Sequence, residues 1–386
     1  MICGMTHRTR SFGSIFTILL SALLAGTGYS QSLDVWIGTS RNQASQGIYH
    51  CTLDATKGRL SPTSLAAEIS GPGFLAMHPD RNTLYAVGAL GGKPCTASYR
   101  VTGKGSSAQL KLLNSKESGD GGSSHVCVDK TGRTLITAQY GGGSVSVYSL
   151  NKDGSIKART QTIEHEGGSN VAGRRQASPH PHWAGVSPDN RFVFVPDLGL
   201  DRVMIYRLDA ANSKITAHGS AVLPPGAGPR HMKFHPSGKW VYVLNEIHVS
   251  VTTFDYDAKN GTMTAKETIA AVPAVELEKE KAKSASEIRV HPNGQFVYSA
   301  NRGHDTVTAY RVNQKTGALQ VIEREFVRGA TPRNFNLDPS GKWLLAAGQD
   351  SHTLAAFEVD QVSGELAYNR SVVNAPAPIC VLFGPE

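Results

Sequence analysis

The chain has 386 residues, 40% of them hydrophobic and 18% charged, a balance that fits a globular protein and excludes a disordered one. Its formal charge of +8 comes without any basic run interleaved with aromatics, so no nucleic-acid partner is expected. The 40 glycines and 19 prolines are spread evenly, as many short strands joined by turns require.

At the N-terminus, His7, Arg8 and Arg10 precede an apolar run from Ile15 to Ala25, which leads into the small, turn-prone GTGYS. That order is the positive, apolar and cleavage regions of a secretory signal peptide. Residues 1–30 are expected to be removed near Ser30–Gln31, leaving residues 31–386 as one domain in the periplasm or outside the cell. A buried first helix is the competing reading. The apolar run is too short for an anchor, no cysteine stands at its end to accept lipid, and no apolar run of about 18 residues follows, so no stable membrane span is expected. Cleavage removes two of the 39 basic residues and none of the 31 acidic ones, leaving +6, a mild charge that suits small anions. Cys51, Cys95, Cys127 and Cys380 then remain. An even number permits disulfides, but each sits in a strand-like run at irregular spacing, so buried thiols are expected. No CxxC or metal-type Cys/His spacing occurs, and neither metal nor other cofactor is expected.

Along the rest of the chain one sentence recurs: MHPDRNTLYAV, VDKTGRTLITA, VSPDNRFVFVP, FHPSGKWVYVL, VHPNGQFVYSA and LDPSGKWLLAA. Each copy is a short strand, a turn and a second strand. Counting from the turn residues Pro79, Lys130, Pro188, Pro236, Pro292 and Pro339, the gaps are 51, 58, 48, 56 and 47. A third alternating strand follows each copy (SVSVYSL, RVMIYRL, TVTAYRV), then a less regular fourth. Four short strands per repeat of about fifty residues predict an all-β, seven-bladed β-propeller with four antiparallel strands per blade. The seventh copy is split. PAPICVLFGPE supplies its first strand, with Pro385 46 residues after Pro339, and LDVWIGTS, GIYHCTLD and LSPTSLAAEI at the other end supply the rest. The C-terminal strand is thus expected to close the ring. Two insertions, Glu164–Pro181 and Val272–Ser286, both precede an innermost strand and should emerge on one face. The charged ELEKEKAK within the second reads as a solvated helical turn.

In antiparallel neighbours, the start of a first strand and the end of a second share one rim, which in a propeller surrounds the channel. Six residues before each turn residue stand Gly73, Ser124, His182, Arg230, Ser286, Arg333 and Ile379, and five before it Phe74, His125, Trp183, His231, Glu287, Asn334 and Cys380. Ten residues after it stand Ala89, Tyr140, Leu198, Glu246, Arg302 and Gln349, and nine after it Gly88, Gln139, Asp197, Asn245, Asn301 and Gly348. The columns predict an opening lined by His182, Arg230, Arg333, Glu246, Arg302, Asp197 and Gln349, with His125 and His180 beside it as further substrate-binding candidates. Arginine forks suit carboxylate or phosphate, and the glutamate and histidine are candidates for proton transfer. The plainer reading is that Glu246 pairs with Arg230 or Arg302 only to neutralise a polar channel. His78, His235 and His291 in the turns are expected to be structural.

The segments SPHPHWAGVSPDNRFVFVPDLGLDRVMIYRLD, GAGPRHMKFHPSGKWVYVLNE, SEIRVHPNGQFVYSANRGHDTV and TPRNFNLDPSGKWLLAAGQD resemble the lactonase family of seven-bladed propellers. That family includes bacterial propeller-type 6-phosphogluconolactonases and fungal carboxy-cis,cis-muconate cyclases. The resemblance implies a lactone hydrolase, or a lactonising cyclase, acting on a small acidic or sugar-derived lactone. It carries the family's histidine, arginine, glutamate and second arginine onto His182, Arg230, Glu246 and Arg302, with Arg289 the alternative for the last. Arg230 and Arg302 would hold the anionic group and the oxyanion, and Glu246 or His182 would act as base toward water. No GxSxG nucleophile motif is present. An export signal departs from the intracellular setting of sugar-phosphate lactones. A monomer is expected. A non-catalytic envelope propeller binding a protein or carbohydrate, and a metal-dependent gluconolactonase, are the competing functions.

Overall fold

The repeated segments fold into separate four-stranded antiparallel sheets, each running in chain order from an innermost to an outermost strand. The computed structural model describes residues 1–5, 32–42 and 44–384. All of the expected signal peptide beyond residue 5, and its cleavage point, fall on residues 6–31, and these, with Pro385, lie outside the described residues. The propeller occupies the second of two compact units, Gln31–Glu386. No helix among the described residues is long and apolar enough to cross a membrane.

The innermost strands of the first six blades are Ser70–Met77, Ser123–Val128, Gly185–Val186, Pro229–Phe234, Ser284–Val290 and Pro332–Leu337. That of the seventh is Pro378–Phe383, which pairs with Ser32–Thr39, Val35 opposite Phe383 and Gly38 opposite Cys380. Gly47–Asp54 follows, then Arg59–Leu60 and Ser64–Glu68, both pairing with it. Pro378–Phe383 also packs on Ser70–Met77, so the C-terminal strand closes the ring as the split repeat predicts. All four cysteines of the propeller are free thiols.

The core lies between blades. Phe192 and Phe194 of the third blade pack with Met232, Val241 and Val243 of the fourth, and equivalent clusters fill the other seams. Each fully buried large side chain there contributes about 1.5–3 kcal/mol. Two hydrogen bonds recur from blade to blade. An aromatic on the second strand donates to the outer turn of the next blade: Tyr85 to Gly154 O at 2.7 Å, Tyr242 to Gly317 O at 2.9 Å, Tyr298 to Gly364 O at 2.9 Å and Trp343 Nε1 to Ala55 O at 2.8 Å. The turn histidines do likewise. His78, His235 and His291 Nε2 donate to Gly132, Gly294 and Gly341 O at 3.0, 2.7 and 2.9 Å, while each Nδ1 accepts the backbone N–H two residues on. They are structural, as expected. Gly341 is required twice over: its φ is +77°, and a Cβ there would stand 2.4 Å from the His291 imidazole.

The two insertions reach one face. Glu164–Pro181 carries the 3₁₀ turn Gly173–Gln176 and the other the short helix Ala274–Leu277, and Arg175 of the first and Ser284 of the second line the same cavity.

Candidate active site

At that face the channel opens into a cavity of about 460 Å³, and a repeated backbone irregularity aims side chains into it. Where the innermost strand meets the end of its neighbour, the ladder skips a residue. Ser123 pairs with Gln139 and His125 with Ala138, so Ser124 is extra; Arg230 is extra between Pro229 and His231, Arg333 between Pro332 and Asn334, and Ile379 between Pro378 and Cys380. These are β-bulges, which re-aim a side chain and leave it outside the ladder. Gly73, Ser124, His182, Arg230, Arg333 and Ile379 all line the cavity. The bulges are tied around the ring: Ser124 Oγ donates to His182 O at 3.0 Å, Arg230 Nε to Ser286 O at 2.7 Å and Ser286 Oγ to Pro332 O at 2.5 Å.

Glu246, just past the end of the second strand of the fourth blade, is buried and gathers three arginines. Arg230 Nη1 is 2.5 Å from Oε2, and Arg175 Nη2 and Arg302 Nη2 are 2.6 and 3.2 Å from Oε1. Burial alone would push its carboxyl up, but the three guanidinium groups outweigh that and hold it well below the usual carboxylate range. So clamped, Glu246 is a weak base and an effective organiser of arginines. Arg302 also donates to Ala285 O at 3.1 Å, while its buried Nε has no partner. Burial and the neighbouring Arg230 push Arg302 down to about 10 despite Glu246.

Arg333 differs from the other three. Its side chain makes no hydrogen bond or ion pair among the described residues, and burial with Arg230 and Arg302 beside it pushes it down to about 9. His182 faces the same cavity, with its buried Nδ1 unpartnered and its ring 5.3 Å from those of Tyr140 and His231. Burial, then Arg230, His231, Arg333 and Arg302, hold it well below the ordinary histidine value, so it is neutral. A neutral imidazole, an open guanidinium and a cluster of further arginines can bind an oxyanion and accept a proton beside it.

The structure thus brings together His182, Arg230, Glu246, Arg302 and Arg333. Arg302, not Arg289, is the second arginine of the cavity; Arg289 pairs with Glu287 at 2.9 Å further along the channel. Four predicted substrate-binding residues lie off the cavity wall. Asp197 is fully buried, accepting from His165 Nδ1 at 2.6 Å and from the backbone N–H groups of His180, Gly199 and Leu200. Its column ends a second strand and points into its own blade, as Asn245 shows by donating to Ser250 and Thr252. His180 stands behind Tyr140, stacked on its ring at 4.6 Å. His125 is packed between Phe74 and Trp183 at 4.0 and 5.3 Å. Gln349 keeps a buried Oε1 without a partner, outside the cavity lining.

Arg175, Tyr140, His231, Asn334 and Ser284 also line the wall without having been singled out from sequence. Tyr140 stands in the right column, where its ring reads as filler. Arg175 sits in an insertion that has no register, so nothing distinguishes it from Arg174. Among the described residues no three His, Cys, Asp or Glu side chains form a group that could hold a metal.

Comparison with known proteins agrees with this fold. Residues 34–383 match the family model described as lactonase, 7-bladed beta-propeller. The chain is 34% identical over 289 residues to a 6-phosphogluconolactonase of Bacillus subtilis (strain 168), covering 75% of this chain and 80% of that one. It is 31% identical over 252 residues to a 6-phosphogluconolactonase of Serratia proteamaculans (strain 568), covering 64% and 69%. The solved structure of a periplasmic gluconolactonase of Pseudomonas aeruginosa superposes with a TM-score of 0.85 at 28% identity, over 92% of this chain and 99% of that one.

Proposed function

The chain belongs to the seven-bladed β-propeller lactonase family, and on that footing we propose that its channel cavity hydrolyses a small sugar-acid lactone carrying an anionic group. The observation that carries this reading is Arg333, an unpaired guanidinium facing the same cavity as a neutral His182 and the Glu246 arginine cluster. The substrate anion sits on Arg333, and Arg230 and Arg302 stabilise the charge that develops on the lactone carbonyl oxygen. His182 takes a proton from the attacking water as its oxygen bonds to the carbonyl carbon. When the ring C–O bond breaks, the same imidazole returns the proton to the leaving alkoxide. Docking an anion on Arg333 offsets one of the charges that depress His182, so the base strengthens when substrate arrives. Glu246 holds Arg230 and Arg302 in place; it is a positioning residue.

The relatives bearing the name 6-phosphogluconolactonase support a sugar-derived lactone, and the periplasmic neighbour supports export of the mature chain. Acid release from gluconolactone, its 6-phosphate and a muconolactone, followed at constant pH, tests the reading. Opening of the phosphorylated or another anionic lactone well above the spontaneous rate is expected. Rates no faster than spontaneous on all three would refute it. N-terminal sequencing of the protein from fractionated cells tests export, with a new terminus near Gln31 expected and an intact Met1 contradicting it.

A further inference from the structure

Two to three residues beyond the bulges, the innermost strands line a second, more open cavity of about 350 Å³, at the small end of ligand pockets. Phe74 borders both cavities and, with His125 and His231 at 4.0 and 5.9 Å, stands between them. One wall of the second cavity is apolar, formed by Phe74, Trp183 and Phe234. The other presents Lys233 and Arg289. Lys233 Nζ lies 4.8 Å from the Trp183 ring centroid and 3.9 Å from Glu287 Oε1, and makes no hydrogen bond among the described residues. Arg289 spends Nε on Asn336 Oδ1 at 2.8 Å and Nη1 on Glu287 Oε1 at 2.9 Å and Ile288 O at 3.4 Å, and its Nη2 makes no hydrogen bond among the described residues. Glu287 is itself shared with His231 Nδ1 at 3.0 Å and Asn334 Nδ2 at 2.6 Å.

The charges around this cavity do not cancel. Burial pushes His231 down to about 4 although Glu287 opposes it, so that ring is neutral, and burial pushes the Cys127 and Cys380 thiols up to about 12. Lys233 and Arg289 therefore face one carboxylate, and one positive charge is left over beside an aromatic wall whenever Lys233 is protonated.

We infer that this second cavity binds a small aromatic carboxylate, its carboxylate on Lys233 Nζ and Arg289 Nη2 and its ring against Trp183 and Phe74. A singly charged anion matches the surplus charge, and a flat apolar body matches the wall. A hydrated, multiply charged phosphate would match neither. Burial, with Arg289 adjacent, pushes Lys233 down to about 7 against the pull of Glu287, so a bound carboxylate would draw the amine into its protonated form. This inference is independent of the lactone chemistry, since neither Lys233 nor Arg289 lines the first cavity.

The test is benzoate titration into the full-length protein, read by calorimetry and by the tryptophan fluorescence, of which Trp183 is the part beside the cavity. Acetate supplies the charge without the ring, and benzyl alcohol the ring without the charge. Benzoate binding is expected to exceed both by about tenfold or more, to fall about tenfold in Lys233→Met and to survive in Lys233→Arg and Arg333→Met. Because Lys233→Arg keeps the charge, its binding remains decisive if Lys233→Met fails to fold. No binding by the wild-type chain up to about 10 mM benzoate would overturn the inference. So would equal binding in Lys233→Met, loss of binding in Lys233→Arg, or loss of binding in Arg333→Met, which would move the anion to the first cavity.

Discussion

Arg230 Nη1 stands 2.5 Å from Glu246 Oε2, although the two lie sixteen positions apart in the chain, across strand, turn and strand. Both side chains are buried, with 4% and 6% of their surfaces exposed, so the pair lies where losing one partner is expensive. Glu246→Gln removes the carboxylate that Arg230, Arg302 and Arg175 share and should cost about 3–5 kcal/mol in denaturant unfolding. Arg175 is about half exposed, so Arg175→Met should cost under about 1 kcal/mol. Equal costs for the two substitutions would show that Glu246 is not held as described.

His182→Asn keeps a polar group in the cavity but removes the base. It should lower kcat by roughly 10²- to 10⁴-fold while leaving KM within a few fold. Steady-state kinetics on an anionic lactone decide this, and an unchanged kcat would shift the base elsewhere.

The three channel histidines make stability depend on acid. Burial holds His125 and His182 well below 6.5 and His231 at about 4. Below 6.5 the unfolded chain takes up protons that the native chain refuses, so their contribution is present above that value and is lost as pH falls toward 4. Each histidine can contribute up to about 1.4 kcal/mol per pH unit in that window. Glu246 and Glu287, whose folded values are depressed below 4.5, add a further loss beneath it. Melting temperature measured across pH should fall steadily from 6.5 to 4; a flat profile there would contradict the burial of these rings.

Ring closure rests on Pro378–Phe383 pairing with Ser32–Thr39 and packing on Ser70–Met77. Removing residues 378–386 leaves the seventh blade without its innermost strand and the channel wall without Ile379. The truncated chain should lose its cooperative thermal transition, and a soluble truncation with an unaltered melt would show that the ring holds without it.

The repeat was legible because each blade uses one local pattern: a turn that needs Pro, Asn or Gly, flanked by two antiparallel strands. The column six residues before the turn was legible too, and the structure supplies the reason in the bulge that turns Ser124, Arg230, Arg333 and Ile379 toward the axis. A bulge is a property of strand pairing, so the sequence offers the column without explaining it. The column nine residues after the turn misled for a related reason. Asp197, like Asn245, lies within the regular ladder, where side chains alternate, and it faces its own blade. Arg175 was invisible because a loop residue has no register, yet the loop folds back to place its guanidinium on Glu246.

The central claim is that Arg333 is the anion-binding group of a lactone-opening site. Its direct test is kcat/KM for 6-phosphogluconolactone relative to gluconolactone, in the wild-type chain and in Arg333→Met. A charge-assisted hydrogen bond is worth about 1.5–3 kcal/mol, so the ratio should fall by roughly 10- to 100-fold, mainly through KM for the phosphorylated lactone. A ratio unchanged by the substitution would contradict the assignment.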